Sequence, residues 1–308
     1  MSKNAQVATI GFFDGVHRGH RCLIEQVKDV ARKAGLPSMI ITFDRHPRQV
    51  LHSDYQPQML STLDEKTTLL KATGIDRVEV LHFDEQLAVL SARDFMEQVL
   101  CRQYGITKLV IGYDNRFGHN RSEGFDDYVG YGKELGIEVI QAAPLSEQQE
   151  TAVSSSYIRA CLLVGNIEGA NDALGYPYTL TGNVTNGFHE GRKIGFPTAN
   201  LSTDETGKII PASGVYAVHV QLEGEQLLRP AMMNIGTRPT YDGHSQTLEV
   251  HIFDFNSDIY GQLLTVEFVE RLRPERRFDG PEALVEQLNS DREQALGLLQ
   301  EQESNHKS

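Results

Sequence analysis

Apolar positions set a two-part rhythm in the first half of the chain. Short apolar runs alternate with longer segments whose apolar residues fall three and four apart. Residues 7–10 form the first run, and the segment after it carries Leu23, Ile24, Val27, Val30, Ala31 and Ala34, the spacing of a helix. A second run, residues 38–43, ends in Thr42-Phe43-Asp44-Arg45-His46-Pro47, where Pro47 and the charges mark a loop. Residues 62–72 begin with Thr62-x-x-Glu65, a capping-box pattern that predicts a helix. Residues 77–83 alternate as a strand does. Ser91-x-x-Asp94 opens a further predicted helix with Phe95, Val99 and Leu100 on its inner face. Residues 108–113, 125–135 and 137–142 read as strand, helix and strand. Strand and helix thus alternate about five times, which predicts an α/β domain with a parallel sheet and helices on both faces.

From about residue 178 the rhythm changes. Short alternating runs at residues 178–184, 214–222, 227–235, 246–253 and 263–268 are separated by turns such as Glu223-Gly224-Glu225. This predicts antiparallel β structure closing into a small barrel. Residues 281–299 then carry Leu284, Val285, Leu288, Ala295, Leu296 and Leu299 on a helical stripe, with Pro281 near its start. That helix is expected to pack on the barrel, and the polar residues after it to fray. The boundary falls near Gly175-Tyr176-Pro177, giving domains of residues 1–176 and 177–308. No internal repeat or low-complexity segment interrupts them.

The bulk numbers narrow the partners. A net charge of −13 over 308 residues argues against a nucleic-acid or anionic-membrane partner, while leaving room for a local basic pocket that holds phosphates. Cys22, Cys101 and Cys161 are scattered and odd in number, which fits thiols in a reducing compartment better than a disulfide frame. No signal peptide precedes the first strand, and no apolar run is long enough to span a membrane. The chain therefore reads as a soluble cytoplasmic protein acting on small molecules, with no obligate protein partner evident.

The candidate chemistry gathers after strand ends, where open α/β sheets bind ligands. Gly11-Phe12-Phe13-Asp14-Gly15-Val16-His17-Arg18-Gly19-His20 links the first strand to the first helix. Its glycines permit close backbone approach, the helix start offers N–H groups and a positive dipole end, and His17 and His20 lie three apart on one side of the first turn. Half of a metal site and a plain tight turn are the competing readings; two histidines among three glycines favour nucleotide phosphate. The loop at residues 44–47 and the glycine-bracketed loop at residues 112–118 lie on the same predicted rim. Val153-Ser154-Ser155-Ser156-Tyr157-Ile158-Arg159 is either a second phosphate cradle, with Arg159 as a fork, or a capped helix with a solvated arginine.

In the second half, Gly191-Arg192-Lys193-Ile194-Gly195-Phe196-Pro197-Thr198-Ala199-Asn200 is either a phosphate-covering loop or a long polar hairpin. Thr198 and Asn200 offer two neutral oxygens suited to Mg²⁺ that is otherwise held by phosphates and water. Glu249, within the apolar run Leu248-Glu249-Val250-His251-Ile252-Phe253, is a candidate general base, or else faces solvent.

Together these motifs resemble the bifunctional riboflavin kinase/FMN adenylyltransferase family, the prokaryotic-type FAD synthetases. The likeness covers residues 8 to about 299, through the motifs at 11–20, 42–47, 112–118, 154–159 and 195–200, then Asn234-Ile235-Gly236-Thr237-Arg238-Pro239-Thr240, and Glu249 with Asp258-Ile259-Tyr260-Gly261. The opening motif alone would indicate only the wider nucleotidyltransferase superfamily. The resemblance implies a Rossmann-like nucleotidyltransferase domain followed by a β-barrel with a C-terminal helix. The barrel domain would phosphorylate the ribityl 5′-hydroxyl of riboflavin with ATP and Mg²⁺, giving FMN. Glu249 would be the base and Thr198 and Asn200 would hold the metal, with Gly191, Lys193, Gly195 and Pro197 at the ATP. The first domain would transfer AMP from a second ATP to FMN, giving FAD and pyrophosphate. There the resemblance places Gly11, Phe12, Phe13, Asp14, His17, Gly19 and His20 at the nucleotide, Ser155 and Arg159 at the pyrophosphate, and Asp114, Asn115, Arg116 and Phe117 at the flavin.

Four positions depart from the family pattern, all in the first half. Arg45 stands for a usual proline, Asn115 for a phenylalanine, Ser156 for a threonine and Tyr157 for a frequent arginine. Losing a ring at position 115 is expected to loosen flavin contacts. Two alternatives follow: a riboflavin kinase with a weakened adenylyltransferase, or a non-catalytic flavin- or nucleotide-binding module.

Overall fold

Strand β1 (Gln6–Ile10) is buried along its whole length and divides its side chains between two cores. Val7 joins one face with Val27, Ala31, Ile40 and Leu70, while Ala8 and Ile10 join the other with Met39, Phe95, Leu100 and Tyr128. A strand covered on both faces is what a parallel sheet requires. The computed structural model describes residues 5–50, 58–112, 115–119, 122–144, 153–186, 190–203, 207–240 and 243–306. It divides into two compact units, Met1–Ser155 and Ser156–Ser308, each taken here by itself.

In the first unit, β1, β2 (Ser38–Phe43), β3 (Arg77–Leu81), β4 (Ile106–Ile111) and β5 (Glu138–Gln141) form one parallel sheet in the order β3-β2-β1-β4-β5. The predicted helices are present. Arg18–Ala34 ends on Gly35 in the left-handed conformation. Leu63–Ala72 carries the full capping box, with Thr62 Oγ1 accepting from the Glu65 amide and Glu65 Oε2 accepting from the Thr62 amide. Phe125–Leu135 matches its predicted span. After Ser91, the turn Ala92–Phe95 widens into a π-helix, Met96–Gln103, which keeps Phe95, Val99 and Leu100 buried.

The second unit begins with two helices, Ser155–Val164 and Ile167–Leu174. They belong with the barrel by direct bonds: the Ala212 amide donates to the Leu162 carbonyl, and Asn171 bonds both the Tyr178 amide and the Phe268 carbonyl. Strands β6 (Thr179–Thr185), β7 (Ala199–Ser202), β8 (Gly214–Leu222), β9 (Leu228–Thr240), β10 (Gly243–Ile252) and β11 (Leu263–Arg273) close an antiparallel barrel in the order β10-β7-β6-β11-β8-β9. The helix Pro281–His306 lays Ala295 and Leu299 against Ala217, Met232, Phe253 and Val269. Arg273 locks it to β11 through a bidentate pair with Asp291 at 2.8–3.1 Å.

Three expectations are corrected. Residues 199 and 200, read as the end of a loop or of a hairpin, begin strand β7. Strand β9 runs on from residue 235 to Thr240, past Pro239. The last helix does not fray after residue 299 but continues to His306, because residues 300–303 are polar helix formers with no stop signal.

Candidate active sites

The chain leaves β1 toward β2 on one side and meets β4 on the other, so the switch point of the sheet opens at the carboxyl ends of β1 and β4. The turn that fills it is strained. Phe13 and Val16 take positive φ of 56° and 37°, a conformation non-glycine residues hold only when their surroundings impose it. Burial of both side chains supplies part of that constraint. The rest comes from Asp14, whose carboxylate accepts from the Leu60 amide at 3.0 and 3.1 Å, the Ser61 amide at 3.1 Å and Ser61 Oγ at 3.2 Å. Ser61 Oγ in turn accepts from the Gly15 amide at 3.0 Å. Asp14 is thus buried, and its carboxylate is bonded to the segment that shapes the turn.

The turn delivers His17 to the N-cap of the helix Arg18–Ala34, where its Nδ1 accepts from the His20 amide at 3.3 Å. The two imidazoles stack at 3.6 Å with 18° between planes. Gly19 makes this possible: a Cβ there would lie 3.2 Å from the His17 ring and 3.4 Å from the Val153 carbonyl. His20 Nδ1 is buried with no hydrogen-bond partner among the described residues. Burial, then His17, then the Lys66 ammonium hold His20 well below the usual imidazole range. It is a neutral ring at pH 7 with an unspent nitrogen at a helix N-terminus.

Lys66, which the sequence reading missed, is itself buried. Its Nζ donates to the Phe43 carbonyl at 2.7 Å and sits 3.9 Å from the Phe12 ring centroid. Burial pulls its pKa down to about 8 against the opposing effect of Asp14 and Asp44. The signal was present: Lys66 lies four residues before Leu70, on the inward face of a capped helix.

Gly11, whose amide donates to the Ile41 carbonyl, and Phe12 open onto a cavity of about 510 Å³ walled by Phe43, Phe83, Phe95 and Phe117. Phe12 meets His46 edge-on at 4.8 Å, Phe43 meets Phe83 at 5.3 Å, and Phe117 stacks on Tyr128 at 4.3 Å. Asn115 and Arg116 also line it, and Asn115 Nδ2 donates to the Ile10 carbonyl at 2.5 Å. An amide at 115 therefore ties the ends of β1 and β4 together, and other rings supply the aromatic wall. Asp114 lies outside the described residues. Ser155 Oγ donates to the Asp14 carbonyl at 3.1 Å. Arg159, half-buried one turn further on, falls within the second unit.

In the barrel, β10 lies between β9 and β7, and Glu249 pairs across to Asn234 on one side and Asn200 on the other. Alternation puts Leu248 and Val250 in the interior, while Thr247, Glu249 and His251 line a cavity of about 510 Å³ with Asn234, Arg276 and Phe278. Glu249 is half-buried along the wall of that cavity. Phe278, also missed from sequence, has the Arg276 guanidinium 4.7 Å from its centroid and that of Arg273 at 5.6 Å.

A second barrel cavity, about 560 Å³, is lined by Arg192, Pro197, Thr198, Asp258, Ile259 and Tyr260 among others. Thr198 lines both cavities. The segment leading to it folds back as the helical turn Glu190–Lys193, closed by the Phe196 amide donating to the Gly191 carbonyl at 2.8 Å. A Cβ on Gly191 would lie 2.2 Å from the Phe196 carbonyl oxygen, so only glycine fits. Gly195 follows with φ of 84°. Residues 187–189 and the Lys193 side chain lie outside the described residues. Pro197 accepts a 2.7 Å hydrogen bond from His251 Nδ1, and burial lowers the His251 pKa. Among the described residues no three His, Cys, Asp or Glu side chains gather as a metal site. The neutral oxygens of Thr198 and Asn200 are donors of the kind that share a hard cation with phosphates.

Residues 1–157 match the FAD synthetase family and residues 174–299 the riboflavin kinase family. The bifunctional riboflavin kinase/FMN adenylyltransferase of Escherichia coli (strain K12) is 38% identical over 285 residues, covering 92% of this chain and 90% of that protein. The protein of the same name from Bacillus subtilis (strain 168) is 35% identical over 297 residues, covering 94% and 91%. A crystal structure described as a macrolide-efflux protein from Streptococcus pneumoniae superposes with a TM-score of 0.85 at 34% identity, over 95% of this chain and 94% of that one. No helix among the described residues of the present chain is long and apolar enough to cross a membrane.

Proposed function

Because the chain belongs to the bifunctional riboflavin kinase/FMN adenylyltransferase family, we propose that the barrel cavities carry its kinase step and the edge of the parallel sheet its adenylyl transfer. The chain phosphorylates riboflavin with ATP to give FMN, then adenylylates FMN with a second ATP to give FAD and pyrophosphate. We assign the adenylyltransferase to residues 1–176 and the kinase to residues 177–308, which counts the two helices of residues 155–174, though bonded to the barrel, with the first activity.

In the kinase step the ribityl 5′-oxygen attacks the γ-phosphorus, the bond to the β–γ bridging oxygen breaks, ADP leaves, and Glu249 takes the hydroxyl proton. The observation that carries this reading is Thr198, which forms wall in both barrel cavities. Flavin in the cavity of Glu249 and nucleotide in the cavity of Arg192 and Tyr260 would bring the acceptor hydroxyl and the phosphate together at that residue. Thr198 and Asn200 would hold Mg²⁺ beside the phosphates, where it neutralises charge on the transferring group.

In the adenylyl transfer a phosphate oxygen of FMN attacks the α-phosphorus of ATP and pyrophosphate leaves. The acceptor is already an anion, so no protein nucleophile is required. Catalysis is positioning and charge neutralisation. Neutral His20, fixed by its stack on His17, donates to the phosphates, with Ser155 on the pyrophosphate side. The aromatic cavity of Phe12, Phe43, Phe83 and Phe117 receives the flavin. The net charge of −13 argues against an anionic nucleic-acid or membrane partner, and the three scattered cysteines fit a reducing, cytoplasmic setting.

A chromatographic time course of riboflavin, FMN and FAD, started with riboflavin, ATP and Mg²⁺, tests the reading. FMN rising and then giving way to FAD is expected. FMN accumulating without FAD, even with FMN supplied, would leave only the kinase, and neither product would overturn both assignments.

A further inference from the structure

We propose that His251 is a positioning residue of the kinase site: by bonding the Pro197 carbonyl it fixes where Thr198 presents its hydroxyl between the two barrel cavities. The inference rests on the kinase reading of those cavities.

His251 shares the cavity-facing row of β10 with Thr247 and Glu249, two residues beyond the proposed base. It is 8% exposed, so its polar atoms need partners. Its Nδ1 lies 2.7 Å from the Pro197 oxygen, and since a carbonyl only accepts, Nδ1 carries the hydrogen. Phe196, at 5.2 Å and 57°, and Phe253, at 5.7 Å and 65°, hold the ring between them and leave it little rotational freedom. The Pro197 carbonyl and the Thr198 amide belong to one planar peptide. Anchoring the oxygen therefore sets the direction in which the chain enters Thr198. Strand β7, which carries Asn200, follows at once. An apolar side chain would fill the space between two phenylalanines without the desolvation cost of an imidazole. The polar ring is explained by what it holds.

The test compares two substitutions. Asparagine can place an amide N–H where His251 Nδ1 stands, while phenylalanine fills the space and donates nothing. His251→Phe is expected to lower kcat for riboflavin phosphorylation by about 10- to 100-fold, the range seen when the partner that orients a ligand is removed. Riboflavin affinity, read by flavin fluorescence quenching, falls by less than kcat although His251 lines the flavin cavity, and FAD formation from supplied FMN is unchanged in the same preparation. His251→Asn recovers most of the lost kcat. If His251→Phe unfolds the barrel, His251→Gln, whose amide reaches the Nε2 position instead, takes its place with the same expected loss. Wild-type kcat in the variant without the donor would overturn the proposal, as would a loss in His251→Asn equal to that in His251→Phe. A loss of riboflavin affinity and thermal stability in step with kcat would assign His251 to packing alone. Failure of the kinase reading would show differently, as an inactive wild-type protein.

Discussion

The imidazoles of His17 and His20 stack face to face at 3.6 Å, and the stack is built by the backbone: His17 caps the helix whose first turn carries His20. Removing His17 would also remove the helix cap, because its Nδ1 accepts from the His20 amide. His20→Ala, which leaves the cap in place, is expected to reduce FAD formation from FMN by at least about 10²-fold, by comparison with loss of a single donor to a developing oxyanion. Riboflavin phosphorylation should be unaffected. Separate assays of the two steps check this, and equal loss of both would contradict the two-site division.

Lys66 gives a pH signature. Its pKa is lowered in the folded chain to about 8. Between that value and the ordinary one near 10.5 the unfolded chain holds a proton that the folded chain has released. Stability of the first unit therefore rises with pH across this window, by up to about 3 kcal/mol. Lys66→Met is expected to flatten that rise. Thermal unfolding of both proteins from pH 7.5 to 9.5 reads the difference, and parallel curves would refute it.

Glu249 is expected to separate the two activities in the opposite sense to His20. Glu249→Gln keeps the shape and removes the base, which should lower riboflavin phosphorylation by about 10²- to 10⁴-fold. FAD formation from supplied FMN should persist, as an end-point assay with FMN will show.

Asp291 is fully buried against the Arg273 guanidinium. Asp291→Asn breaks that pair from one side and leaves an arginine short of its counter-charge, at a cost of about 3–5 kcal/mol. Urea unfolding followed by far-ultraviolet circular dichroism is expected to show the second unit opening at lower denaturant. An unchanged midpoint would mean the pair contributes nothing.

What the sequence made legible was mostly local or periodic. The Thr62–Glu65 capping box and the helix Phe125–Leu135 are written within a few consecutive residues, and both stand as read. The motif turn was legible as a phosphate site, but not its support. Asp14 looked like a rim acid, whereas its partners lie 46 and 47 residues away in sequence. Strand Ala199–Ser202 was hidden because its first two residues end a segment whose glycines and charges read as a loop or a hairpin. The reading of strand β9 stopped at residue 235, where the apolar alternation gives way to Gly236, Thr237 and Arg238. Lys66 escaped notice because a lysine on an inward face is rare, and only the fold reveals the carbonyl and ring that receive it.

The clamp on the strained turn bears on how such a chain can vary. Residues 11–20 hold their shape because Leu60 and Ser61 hold Asp14, so the signature and a remote pair of residues form one heritable unit. A chimaera that transplanted the signature into a relative's sheet without its partners at 60 and 61 would carry every recognisable letter and lose the geometry. Loss of the hydroxyl at position 61, or a proline at either position, would likewise weaken the clamp while leaving the motif intact to the eye.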